Sequence, residues 1–251
     1  MNKLKVAVVT GVASGIGKTT AELLSIENWY VIGIDLGEKL NISWVDSYFS
    51  TDLSNPEEVF SLFKKISILT DHIDALINNA AYQICKPIIE TSINEWDKTM
   101  DTNVRAAFLL IKEGYTLIKK CKGCIVNVSS VHAVATSSNI ASYAASKGAL
   151  TSFTRALAVE FGKDEIRVNS VLPGATDTPM LEAGLKRGHL SGNDYIQLKE
   201  DLAKKTVLNR IGTTDEISQM ILFLVSSQKS SFITGQCFVV DGGATARLST
   251  E

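Results

Sequence analysis

The chain has 251 residues, with 25 Lys and Arg against 27 Asp and Glu, a formal charge of −2. That balance offers no basic field to draw in nucleic acid or an anionic membrane surface, which leaves a small molecule as the expected partner. The first apolar run breaks at Thr10-Gly11, too early for a signal-peptide core or a membrane span, so a cytoplasmic setting is expected.

In chain order, short β-branched runs alternate with longer amphipathic stretches. The pattern predicts strands at Lys5–Thr10, Tyr30–Asp35, Ser47–Thr51, Ile73–Asn78, Cys124–Ser129, Arg167–Leu172 and Cys237–Val240. It predicts helices starting near Gly15, Pro56, Ile93, Ser142 and Thr214. Near-continuous hydrophobicity in the strands requires cover on both faces, and the βα alternation makes them parallel. The expected fold is therefore α/β: a single-domain, Rossmann-like, doubly wound parallel sheet of about seven strands with helices on both faces. It spans residues 1–251, undivided by any linker or repeat. The polar segment 174–212 interrupts the pattern after the sixth strand. An insertion at a strand's carboxyl end lies where ligands bind, so this segment is expected to be a substrate-binding loop.

Between the first strand and helix lies Thr10-Gly11-Val12-Ala13-Ser14-Gly15-Ile16-Gly17. Glycines there let the backbone turn sharply and approach a pyrophosphate, while the helix N-terminus supplies free N–H groups. The spacing differs from the commoner G-x-G-x-x-G, and a purely structural turn is the plainer alternative. Asp35 ends the second strand, 18 residues beyond Gly17. A carboxylate at that place can accept both ribose hydroxyls of an adenosine and repel a 2′-phosphate, so NAD is expected to be preferred over NADP. A turn aspartate before Gly37 is the other reading. Ser14 and Leu36 bring no cation for a 2′-phosphate, although Lys18 and Lys39 stand close in sequence.

Tyr143 and Lys147 open a predicted helix at i, i+4 spacing, which puts phenol and ammonium on one face. A neighbouring cation stabilises a phenolate and brings its pKa toward the working range, as an acid/base needs. Ser130, 13 residues upstream at the end of the fifth strand, can donate to a substrate oxygen on which negative charge develops. The cysteines, at 85, 121, 124 and 237, form no disulfide framework. The Cys121/Cys124 pair lacks a second ligand pair, so no metal is expected.

These motifs, with Asp52-Leu53, Asn78-Asn79-Ala80-Ala81, Asn103, Pro173-Gly174 and Asp241-Gly242-Gly243, resemble those of the short-chain dehydrogenase/reductase family over essentially the whole chain. The resemblance implies catalysis by Asn103, Ser130, Tyr143 and Lys147, with Asn103 holding a proton-relay water. It also implies a nicotinamide cofactor bound by Gly11, Ser14, Gly15, Ile16, Gly17, Asp35, Leu36, Asp52, Leu53, Asn79, Ala80, Ala81, Tyr143, Lys147, Pro173, Gly174, Thr176 and Thr178. Within that set Asp52 would bind the adenine amino group, Asn79 would brace the sheet, and Lys147 would grip the nicotinamide ribose. Ala81 departs from the family's usual glycine, adding a methyl near the nicotinamide. A homotetramer is implied too, built from helices after the fourth and fifth strands and from the last strand. Phe232, Ile233, Phe238 and Val240 offer apolar surface there, with burial inside one chain as the alternative.

The segments 130–136 and 175–180 and the tail after Gly243 look similar to those of the family's sugar dehydrogenases. Gln83, His132 and Asn139 would join Ser130 and Tyr143 in binding a substrate rich in hydroxyls, an aldose oxidised to its lactone. For His132 a solvated loop position is the plain alternative. A 3-oxoacyl-thioester reductase, another alcohol dehydrogenase or ketone reductase, and a non-catalytic dinucleotide-binding module remain alternatives. For the reductase, Tyr82, Ile84, Met180 and Leu181 could supply the apolar lining.

Overall fold

The computed structural model describes residues 4–37, 43–186 and 195–247. Lys39, part of the 174–212 segment and the last residues of the tail lie outside them. The strands are β1 (Val6–Thr10), β2 (Tyr30–Asp35), β3 (Ser47–Ser50), β4 (Ala75–Asn78), β5 (Cys124–Val128), β6 (Arg167–Pro173) and β7 (Cys237–Val240). They form one parallel seven-stranded sheet in the order β3-β2-β1-β4-β5-β6-β7. Every expected strand is present, with bounds shifted by at most two residues.

Alternation along β1 explains why the strands read as unbroken hydrophobic runs. Val6 and Val8 point into one apolar cluster and Ala7 and Val9 into the other. The first cluster is closed by α2 (Pro56–Leu69), through Val59, Leu62 and Ile66, and by α4 (Ala106–Lys120), through Leu110 and Ile118. The second is closed by α1 (Gly15–Ile26), through Ala21 and Leu24, and by α8 (Thr214–Val225), through Ile217, Ile221 and Leu224. A short polar zip, Thr20 to Ser218 at 3.0 Å and Thr19 to Thr214 at 2.8 Å, fixes α1 against α8.

Local signals start the helices. Asn55 accepts from the N–H groups of Glu57 and Glu58 ahead of α2, with Pro56 at its first position. Ser92 with Glu95 and Thr213 with Glu216 form reciprocal capping boxes for α3 (Ile93–Met100) and α8. The Arg210 guanidinium beside Glu216 holds that carboxyl down at about 2.

The structure differs from the sequence reading in two places. The helix expected from Ile93 is two helices, α3 and α4, joined by a wide turn of π-helix at Asp101–Arg105. Neither Pro nor Gly marks the break. The turn faces Asn103 inward, 3% exposed, where its side chain binds a neighbouring segment. The segment 174–212, expected as a loop, carries α6 (Pro179–Lys186) and α7 (Tyr195–Lys204). The remaining helices are α5 (Ala141–Phe161) and the short α9 (Ser227–Ser230).

Candidate active site

The strand order reverses between β1 and β4, and a crevice opens above their carboxyl ends. A cleft of about 510 Å³ occupies it, lined by residues from the ends of β1, β2, β4, β5 and β6 and by α6 and α7.

One end is built by the glycine turn. Gly11 and Gly15 both have positive φ, +72° and +58°. Asn79 clamps this turn to β4, its side-chain amide donating to Thr10 O at 2.9 Å and to Gly11 O at 3.4 Å. Thr178, which caps α6 by accepting from Leu181 N, stands over Gly15. Gly11, Ser14, Gly15, Ile16, Asn79, Ala80, Ala81, Pro173, Gly174, Thr176 and Thr178 all line the cleft. Gly17 does not; it lies buried behind the turn, where an added Cβ would sit 2.1 Å from Gly11 O. In this structure its place is in the packing that supports the turn. Gly17→Ala is accordingly expected to cost about 2 kcal/mol and to weaken NADH binding, read by thermal unfolding and a fluorescence titration.

Further along, Asp35 accepts from Ala13 N at 2.9 Å with one oxygen and from Leu36 N at 2.7 Å with the other. Its carboxylate is thereby fixed in the cleft beside Leu36, Asp52 and Leu53. Asp52 accepts from the N–H and hydroxyl of Ser54.

At the other end, Ser130, Tyr143 and Lys147 converge, 7%, 7% and 2% exposed. The Lys147 ammonium is 5.5 Å from the Tyr143 ring centre and donates to Val128 O at 2.8 Å. The Ser130 hydroxyl accepts from His132 N at 3.2 Å and lies close enough to the Tyr143 phenol to act on its acidity. Burial pushes Tyr143 up to about 12, with the Ser130 hydrogen bond pulling the other way, and pushes Lys147 down to about 7. The phenol thus moves opposite to the sequence expectation. A dry pocket disfavours both charged forms, and burial weakens the lysine's hold on the proton whose charge was to lower the phenol.

Asn103 reaches this region only indirectly. Its side chain accepts from Tyr82 N at 2.7 Å and donates to Tyr82 O and Ser146 Oγ, both at 2.9 Å, so its amide is engaged with protein. Gln83 and His132 line the cleft. Asn139 does not: at φ 59° it turns the chain, and its carbonyl accepts from Lys86 N at 2.7 Å. Thr102, Ser137, Leu202, Lys205, Thr206 and Ala244 line the cleft without having been expected. The first two adjoin site elements in sequence, Asn103 and the segment 130–136, whereas the others arrive through tertiary closure and carry no local signature.

Cys121 donates to Ile73 O at 3.0 Å, and burial pushes the Cys124 thiol up to about 12. Among the described residues, no group of three or more His, Cys, Asp or Glu could hold a metal ion. None of the helices searched is long and apolar enough to cross a membrane.

A parallel sheet with a glycine turn at its switch point, a fixed carboxylate after β2 and a buried Ser-Tyr-Lys cluster defines a nicotinamide-dependent oxidoreductase acting on CH–OH groups. A family model described as enoyl-(acyl carrier protein) reductase matches residues 11–245. The cyclopentanol dehydrogenase of Comamonas testosteroni is 38% identical over 252 residues, covering 96% of this chain and 97% of that protein. The NAD-dependent glycerol dehydrogenase of Listeria innocua is 34% identical, covering 97% and 94%. The solved ligand-free aldohexose dehydrogenase of Thermoplasma acidophilum superposes with a TM-score of 0.91 at 28% identity, over 98% of this chain and 96% of that one. The chain belongs to the short-chain dehydrogenase/reductase family.

Proposed function

We propose that the protein is an NAD-linked dehydrogenase of small cyclic secondary alcohols. The observation that carries this reading is that one cleft is lined both by the Ser130, Tyr143 and Lys147 cluster and by the apolar residues Val131, Met180, Leu181 and Leu202. Apolar lining suits a hydrocarbon ring, and cyclopentanol is a substrate of that shape.

The dinucleotide, when bound, accepts the hydride from the carbinol carbon or returns it to the carbonyl. Tyr143 takes the hydroxyl proton in oxidation and gives it back in reduction. Ser130 donates to the same substrate oxygen. Lys147, with one protein partner at Val128 O, has donors left for the nicotinamide ribose. Asn103 holds the floor beneath Tyr143 through Ser146 and Tyr82, and a relay water would meet its main chain. The glycine cradle fits a pyrophosphate, and Asp52 closes the adenine end.

Asp35 selects the cofactor. Both its oxygens are held by backbone N–H groups and retain lone pairs for the ribose hydroxyls, so NAD is expected to exceed NADP in kcat/KM by about tenfold or more. Asp35→Ser should erase most of that ratio. Equal use of NADP by the wild-type protein would contradict the assignment.

Gln83, His132 and Ser137, which line the same cleft, favour a second reading, oxidation of an aldose at its anomeric carbon. That carbon is also a ring carbinol. The test compares kcat/KM with NAD for cyclopentanol, cyclohexanol, aldohexoses and pentoses, and with NADH for 3-oxoacyl thioesters. Turnover of thioesters alone would refute both readings.

A homotetramer in the cytoplasm completes the proposal. Phe108 on α4, Val159 on α5, and Phe232 and Val239 at the β7 edge are 45%, 85%, 102% and 44% exposed. Of the residues expected at that edge, only Phe232 is open in this way; Ile233, Phe238 and Val240 are packed against the core. The four cysteines, none of them in a disulfide, suit a reducing compartment.

A further inference from the structure

We propose that His132 reads a second oxygen on the ring atom next to the reacting carbinol, so that vicinal diols and hemiacetals are preferred over simple cyclic alcohols. The inference rests on the dehydrogenase reading above and narrows its substrate class.

The turn that carries the catalytic serine also carries this histidine. Ser130 caps a single 3-10 turn, Val131–Ala133, by accepting from His132 N at 3.2 Å, and the same hydroxyl meets Tyr143. The His132 imidazole stands edge-on to the Tyr143 ring, centres 6.0 Å apart at 77°. The distance between the reacting oxygen and the imidazole is thus set by one short turn and one ring contact.

The two imidazole nitrogens have different surroundings. Nδ1 is engaged with Thr136 Oγ1 at 3.2 Å. Nε2 has no hydrogen-bond partner among the described residues, and the residue lines the cleft. Burial pushes the imidazole's pKa down, which keeps it neutral at neutral pH. In either tautomer a neutral ring leaves Nε2 able to donate or to accept, and an alcohol oxygen can answer both. Half-buried at the cleft, Nε2 can exchange water for a ligand hydroxyl as substrate enters. A simple cyclic alcohol has one oxygen, committed to Ser130 and Tyr143. His132 is one turn from Ser130 and edge-on to Tyr143, so an oxygen on the adjacent ring atom is the substrate group placed to meet Nε2.

The test measures kcat/KM of the full chain with NAD for cyclopentanol and for cis- and trans-1,2-cyclopentanediol, in the wild type, His132→Asn and His132→Gln. Asparagine places its amide where Nδ1 was and withdraws the Nε2 group, whereas glutamine reaches the Nε2 position. The wild type should favour at least one diol isomer over cyclopentanol by about tenfold or more; the Asn variant should bring that ratio to about one, and the Gln variant should keep most of it. Calorimetric titration of the NADH-bound protein with the same diol reads the contact without turnover, and binding should weaken about tenfold in the Asn variant. An unchanged ratio in His132→Asn, or a wild type that turns over cyclopentanol as well as both diols, overturns the proposal. Diol binding that depends on His132, in a protein that oxidises none of the three alcohols, supports the contact and overturns the dehydrogenase reading beneath it.

Discussion

Tyr143→Phe is expected to lower kcat for NAD-linked alcohol oxidation by about a thousandfold, a barrier increase of about 4 kcal/mol, while leaving NADH affinity within about twofold. The phenol is a buried proton-transfer group beside Ser130 that lines the cleft. The adenosine end, where Asp35 sits, is built from other strands. Phenylalanine keeps the ring's packing against His132 and so preserves the pocket's shape. Steady-state kinetics and an NADH titration on the same preparation separate the two effects. Retention of more than a tenth of wild-type turnover would remove Tyr143 from the chemistry.

Lys147→Met should abolish turnover as well, and it should make the protein more stable. Lys147 is among the largest fully buried side chains, and burial brings its ammonium down to about 7 from 10.5. A depressed base pKa means that between about 7 and 10.5 the unfolded chain binds more protons than the folded one, so stability rises with pH across that window. Below about 7 the lysine is charged in both states, and the full cost of burying the cation applies. Methionine fills the same channel without charge, so a gain on the order of 2 kcal/mol is expected at pH 6, shrinking toward pH 10. Tyr143, pushed up to about 12, adds no slope until the pH passes 10. Thermal unfolding of both proteins across this range checks the sign. A variant less stable than wild type at pH 6 would show that Lys147 is a net structural tie through Val128.

The sheet was legible because its strands are buried on both faces, which makes β1, β2, β4 and β5 mostly apolar runs, although Asn169 and Ser170 interrupt β6. Asp35 and the Tyr143/Lys147 pair were legible because their function depends on a fixed place at a strand end or a fixed helical spacing. What escaped depends on contacts distant in sequence. The π-helical turn at Asp101–Arg105 is held by Asn103 bonds to residues 21 and 43 positions away, and no local residue announces it. Asn139, chosen for its closeness to Tyr143 in sequence, has a left-handed backbone whose carbonyl accepts from Lys86 N, a turn the sequence does not announce. Lys205 and Ala244 reach the cleft because the segment after α7 packs on Gly242 and Gly243 beyond β7. The shift of the Tyr143 phenol was misjudged because spacing places a cation nearby but does not show that both groups are dry.

The most direct test of the account is the initial rate of NADH formation from NAD and a small ring alcohol, cyclopentanol or 1,2-cyclopentanediol, with the product ketone identified. The account predicts NADH and the corresponding ring ketone in equal amounts, with NAD used at least about tenfold better than NADP. No NADH from any ring alcohol or aldose, in a protein that still binds NADH, would contradict it and leave a dinucleotide-binding fold without this chemistry.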